Sequence, residues 1–201
     1  GTTSGERRSL PWVWAVACLA GGWIGWALPV ADAVEFSADQ ITRSQSHTRK
    51  ANIYYRDDRW RLEHYALGPV NVTIVRKDKQ VMWLLLSRIR HFKTVPYDPD
   101  QEPKVEERLK GETAREIIGT ETRDGHPTTL YQVTVQDGGG EQIYYQWVAT
   151  DIGFPLKLAR KDGSWMVEYR NLRLRPQSDA LFELPVNFKP LEELERKDEP
   201  S

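Results

Sequence analysis

Cysteine is all but absent: the chain of 201 residues carries one, Cys18. A single thiol cannot close an internal disulfide or furnish a cysteine-rich zinc site, so the fold must be held by its apolar core. An excess of one charge is missing too. Lys plus Arg number 28 against 29 Asp plus Glu, a formal charge of −1, which argues against a nucleic-acid surface with its basic surplus. The four histidines, His47, His64, His91 and His126, stand far apart, and no H-x-x-x-H or cysteine pair has metal-ligand spacing. There is no G-x-S-x-G elbow and no G-x-x-x-x-G-K phosphate loop. Gly138-Gly139-Gly140 lies between two candidate strands and reads as a hairpin tip rather than a phosphate cradle. No catalytic residue, metal or cofactor is therefore expected. His64 and His91 are the two histidines that could serve as a base in a triad dispersed along the chain.

What the chain does have begins with an uncharged run. Arg7 and Arg8 precede it, it extends from Ser9 to Ala31, and Ala31-Asp32-Ala33 ends it with a small-x-small site just after Pro29. Basic start, apolar middle and small-residue exit are the three parts of a secretory signal, so residues 1–33 are expected to be a signal peptide. The alternative is a retained inner-membrane anchor, because Leu10 to Ala31 is 22 residues, long enough to cross a bilayer, and Trp12, Trp14, Trp23 and Trp26 are aromatic anchors. A lipoprotein box at Cys18 and a twin-arginine signal at Arg7-Arg8 are weaker fits. Either main reading places the rest of the chain outside the cytoplasm, in the periplasm.

Residues 34–190 read as one domain of antiparallel strands. Period-two segments rich in β-branched and aromatic residues recur between turn signals. They are Lys50–Arg56, Arg59–Tyr65, Val70–Val75, Gln80–Leu86, Ile89–Val95, Ile117–Thr122, Thr128–Val135, Gln142–Ala149, Pro155–Arg160 and Trp165–Leu174. Asp124-Gly125 and Asp162-Gly163 are strong hairpin signals, because positive φ is cheap there. Lys104 to Arg115, with Val105 and Leu109 at i, i+4, is the one candidate helix, capping the sheet. Val81 to Leu86 is apolar on both faces and so must be covered on both. Residues 191–201, rich in Glu, Lys and Asp, read as a solvated, flexible tail.

An ordered set of short motifs then resembles a known family. Phe36-Ser-Ala-Asp39, Ile53-Tyr-Tyr-Arg-Asp-Asp-Arg-Trp-Arg-Leu-Glu63 and Val75-Arg-Lys-Asp-Lys-Gln-Val-Met-Trp-Leu84 belong to it. Gly119-Thr-Glu-Thr122, Gln146-Trp147, Gly153-Phe-Pro-Leu156, Asp162-Gly-Ser-Trp165, Glu168-Tyr-Arg-Asn171 and Leu181-Phe-Glu-Leu-Pro185 follow in order. The chain is similar, over residues 35 to 190, to an uncharacterised LolA-like family of periplasmic proteins, related in fold to the lipoprotein carrier LolA, the receptor LolB and the sensor RseB. The resemblance implies a mainly β (α+β) fold: a strongly curved antiparallel sheet, an unclosed barrel of about eleven strands, with a short helical lid and an apolar cavity between. It also implies that Arg59 and Arg61 act as lid or polar contacts, since carriers have an arginine beside an aromatic there.

Such a sheet has a concave face to be filled by side chains, lid or guest. Alternation selects Trp60, Leu62, Val81, Trp83, Leu85, Tyr145, Trp147 and Trp165 for it. A one-residue error of register would select Met82, Leu84, Leu86, Tyr144 and Val148 instead. The function expected is non-enzymatic binding or transfer of a lipid or a lipoprotein acyl chain by a monomer. The alternative is an envelope protein-interaction or sensor module using the same groove or a sheet edge.

Overall fold

Residues 33–197 are described in this computed structural model. The expected signal peptide falls outside them except for Ala33, and so do the last four residues of the charged tail. The strands are β1 (Phe36–Ser44), β2 (His47–Arg56), β3 (Arg59–His64), β4 (Val72–Arg76), β5 (Val81–Leu86) and β6 (His91–Pro96). They continue as β7 (Glu112–Arg123), β8 (His126–Asp137), β9 (Gly140–Ala149), β10 (Phe154–Arg160), β11 (Trp165–Leu174) and β12 (Lys189–Pro190), before the one helix, α1 (Leu191–Lys197).

All twelve strands form a single sheet in the order β12-β6-β5-β4-β3-β2-β1-β11-β10-β9-β8-β7. Each strand expected from alternation forms, with its ends shifted by a few residues. The sheet is two meanders, β1–β6 and β7–β11, joined where β1 pairs antiparallel with β11. It is strongly curved and does not close, since β7 and β12 remain as edges. This is the mainly β, unclosed architecture expected. Hairpin chemistry sets the register: Asp124 and Gly125 both take left-handed φ, +50° and +78°, as a two-residue primed turn between β7 and β8 requires.

The inner face carries the larger core. Phe36 sits at its centre, stacked on Tyr55 at 5.0 Å and edge-on to Phe154 at 5.0 Å and Tyr169 at 5.7 Å. Trp60, Met82, Leu156, Leu158 and Val167 pack round this group. A smaller core lies on the outer face of β3–β6, where Val72, Ile74, Leu85 and Trp83 meet Phe182, Leu181, Leu184 and Phe188. The two-sided apolar strand Val81–Leu86 is thus covered on both faces, Met82 facing one core and Leu85 the other.

Two irregular segments supply that cover. β6 and β7 lie near opposite ends of the sheet, so residues 97–111 must cross its mouth as an inner strap, with Tyr97, Val105 and Leu109 packed on the inner core. The helix expected over Lys104 to Arg115 does not form. A 3-10 turn at Pro99–Gln101 leads into irregular backbone, and Glu112–Arg115 already belong to β7. Reach explains the difference: extended chain advances about 3.3 Å per residue, a helix only about 1.5 Å. Residues 175–188 form the outer strap, returning from β11 to the β6 side and placing Phe182 against β3 and β4. The stretch expected as a flexible tail is helical over Leu191–Lys197, with Glu192 and Glu193 in its first turn and Arg196 and Lys197 in its last. That arrangement complements the helix dipole.

Gly111 fixes the end of the inner strap. Its φ is +78°, its carbonyl accepts from Gln136 N at 2.9 Å, and a Cβ there would run into the Gln136 carbonyl oxygen. Gly111→Ala combines left-handed strain with that collision and is expected to cost about 1–3 kcal/mol. Denaturant unfolding followed by tryptophan fluorescence measures it; an unchanged midpoint would mean the strap is not held at Gly111.

Candidate functional site

Three cross-strand rows build the part of the inner face that the strap leaves open. Trp165, Ser44 and His47 form one row, and Val167, Thr42 and Arg49 the next. Tyr169, Gln40, Ala51 and His64 form the third, with Leu62 and Trp60 alongside on β3. Together with Asp100–Lys104 of the strap these rows bound a groove of about 690 Å³. A second hollow of about 460 Å³ continues past Trp165 toward Tyr144, Leu158 and Arg160, sharing Ser44, Asp100 and Lys104 with the first. Both volumes fall in the range of small-molecule sites.

The strap over this groove is latched at both ends. On the β7 side, Arg115 donates to Glu112 at 2.7 Å, to Gln146 Oε1 at 2.8 Å and to the Glu107 carbonyl at 2.7 Å. Gln146, 1% exposed, donates in turn to the Glu106 carbonyl at 3.3 Å. The Arg115 guanidinium holds the Glu112 carboxyl below the usual carboxylate range. On the β6 side, Glu102 takes an ion pair from Lys77 at 2.5 Å and a hydrogen bond from the Tyr97 hydroxyl. Burial pushes the Tyr55 phenol up to about 12, and the fully buried Tyr169 is raised as well.

The rim of the groove is unevenly charged. Arg49, His47 and Lys104 are exposed there and make no ion pair among the described residues. Of the two acids, Asp100 and Glu102, the second is already engaged. His64 bonds Thr73 through Nε2 at 2.8 Å, and burial followed by the Arg49 charge lowers its pKa.

The residues selected by alternation divide between the faces. Trp60, Leu62 and Trp165 line the groove, with Trp60 reaching down into the core. Trp83 and Leu85 face outward into the smaller core, and Val81 shares their side of β5. Tyr145 and Trp147 also face outward, edge to face at 6.4 Å, while Tyr144 is the one that meets Trp165, at 6.5 Å. For β5 and β9 the shifted register is therefore the observed one, Met82 and Tyr144 packing on the inner core. Trp147 lies 5.1 Å from the Arg123 guanidinium and 4.8 Å from the Lys157 ammonium, a cation–π stack on the convex surface. Neither Arg59 nor Arg61 lines the groove. Arg59 pairs with Asp58 at 2.9 Å, and Arg61 pairs with Glu63 at 3.0 Å and donates to the Leu181 carbonyl of the outer strap at 3.3 Å. His91 binds the Ile89 carbonyl at 2.5 Å and sits on β6, separated from His64 on β3 by β4 and β5. Sequence reasoning missed Gln40, Thr42, Arg49 and Lys104, which have no apolar signature.

These features define a curved, unclosed, strap-covered sheet with an open groove. No protein-family model matches the chain, and no curated protein matches it. Among solved structures it is similar to MucB, with a TM-score of 0.53 and 15% identity over 77% of this chain and 58% of that one. It is also similar to an uncharacterized conserved protein from Thermus thermophilus, with a TM-score of 0.51 and 13% identity over 79% of this chain and 90% of that one. The chain thus spans under two thirds of the MucB chain. At such identities the likeness is one of fold.

The His64 environment gives a direct check on the groove. Its midpoint by NMR titration is expected below the ordinary 6.5, and Arg49→Gln is expected to raise it by removing the nearby charge. A midpoint unmoved by Arg49→Gln would remove Arg49 from that wall.

Proposed function

We propose that this protein binds a hydrophobic guest, a lipid or the acyl chain of a lipoprotein, on its concave face, in the periplasm and without covalent chemistry. The observation that carries this reading is the open groove of about 690 Å³ beside a core that elsewhere fills the concave face with its own aromatic side chains. Leu62, Val167 and Trp165 give the guest an apolar surface there. Burial of a chain against it stabilises by about 0.8 kcal/mol per methylene, so a dozen methylenes need no polar contact to be held. Export rests on residues 1–33, which as a retained segment would instead hold the domain at the inner membrane. The resemblance to LolA-like carriers supports the same assignment.

A second reading has one observation in its favour. β7 is an edge strand of 12 residues, with Ile117 64% and Ile118 45% exposed at a bulge. An extended partner segment could add to that edge. Charges at Glu116, Glu121 and Arg123 and the bulge itself oppose such pairing, which ranks this reading below the groove.

Delipidated protein titrated with a fluorescent fatty acyl probe is expected to bind saturably, at one site. Leu62→Gln and Trp165→Ala should each weaken binding by about tenfold, about 1.4 kcal/mol of lost apolar contact. Tyr145→Ala, on the convex face, should leave it unchanged. Binding that is not saturable, or equal loss in all three folded variants, would rule out the groove.

A further inference from the structure

We propose that the groove is an amphiphile site with a built-in anion subsite at its rim, so that the guest is a single-chain lipid carrying a carboxylate or phosphate head. The inference rests on the groove-binding reading and specifies its guest. Two of the cross-strand rows grade from apolar to cationic: Val167 and Trp165 on β11, Thr42 and Ser44 on β1, then Arg49 and His47 on β2 at the end nearest the β1–β2 turn. The row beyond them leads by way of Ala51 to Leu62 and Trp60 on β3. From the opposite wall the strap presents Lys104. Arg49, His47 and Lys104 have no carboxylate of their own to pair with among the described residues. Elsewhere in the fold Arg56, Arg59, Arg61, Arg76, Arg115 and Arg123 are each matched to an acid, whereas Arg88, Arg90, Arg173, Arg175 and Arg196 form no ion pair among the described residues.

What sets the groove's cations apart is their place: Arg43, Arg49, Lys50 and Lys104 line it against Asp100 and the already paired Glu102, in a chain whose formal charge is −1. They border the mouth of an apolar hollow rather than an open surface. The second hollow adds Lys110 and Arg160 and no further acid. A neutral, purely apolar guest would leave these cations unused, whereas an anionic head gains from each of them and its chain follows the slope toward Leu62. Exposure limits the gain: two or three solvent-facing pairs supply a preference of about tenfold, not the bulk of the affinity.

The test uses the full chain and two probes of equal length, dansyl-labelled undecanoate and its methyl ester. The acid is expected to bind about tenfold tighter than the ester at low salt, and the preference should shrink as salt rises. Arg49→Gln with Lys104→Gln should abolish the preference, the acid falling to the affinity of the ester in the same variant; both residues are exposed, so the fold should survive. Displacement by laurate or by lysophosphatidate identifies a carboxylate or a phosphate head, either in keeping with the proposal. If acid and ester bind alike, the anion subsite is wrong and the groove reading stands. If neither binds saturably, both fall together. Displacement of the acid probe by inorganic phosphate at comparable concentration would make this a free-anion site and overturn the amphiphile.

Discussion

An antiparallel sheet that curves without closing must cover its apolar surface with chain taken from elsewhere, and the rest of this structure follows from that constraint. A closed barrel needs no cover at its edges, and a flat sheet with one polar face needs cover on one side only. Here β5 is apolar on both sides, and the inner face adds a cluster of aromatic rings from β1, β2, β10 and β11. The chain meets the demand with an inner strap across the mouth and an outer strap behind β3–β6. Beyond a 3-10 turn in each, neither is a regular element, so backbone carbonyls left without a partner in the strap need a donor from the sheet.

Arginine is that donor on both sides. Arg76, 4% exposed, donates to the Phe182 carbonyl at 3.2 Å while pairing with Glu183 at 2.8 Å and Asp78 at 2.7 Å. Arg115 does the same for the inner strap through Glu107, Glu112 and Gln146. The planar guanidinium serves one main-chain acceptor and one carboxylate at once, which a lysine ammonium does with far less geometric control. The same pairing explains the directions of titration: the Arg76 guanidinium holds the Asp78 carboxyl below its usual range. It also explains how a domain with no disulfide among its described strands keeps two irregular segments in place.

The strands were legible in the sequence because most of them alternate between Asp-Gly or charged turns. β1 was not. Phe36 and Ala38 point inward, whereas Ile41, of the opposite parity, is buried on the outer side. The apolar residues change face within one strand, which erases the period-two signal. The choice of face on β5 and β9 was illegible for a different reason. Val81-Met-Trp-Leu-Leu-Leu86 and Tyr144-Tyr145 present apolar side chains both ways, so alternation cannot rank the faces. What decides between them on β5 is the outer strap, whose Phe182 and Phe188 draw Trp83 and Leu85 outward from more than ninety residues away. The helical reading of Lys104 to Arg115 failed on reach, a property of the topology that no local pattern encodes.

The groove itself follows from the same change of side-chain type along β1. Past Ala38 its inward positions are Gln40, Thr42 and Ser44, which gain little from being covered by an apolar strap. Val105 and Leu109 of the inner strap instead pack where the rings of the core can receive them, and the hydrated end of β1 and β2 stays open. Across β1 from that polar row stand Val167 and Trp165, which the sheet cannot turn away from it. The site is therefore amphipathic by construction: its apolar wall is fixed by β11, its polar floor by β1 and its cations by β2. A cavity shaped only for hydrocarbon would have continued the aromatic cluster outward, and the step from Phe36 to Gln40 along one strand is where this fold departs from that plan.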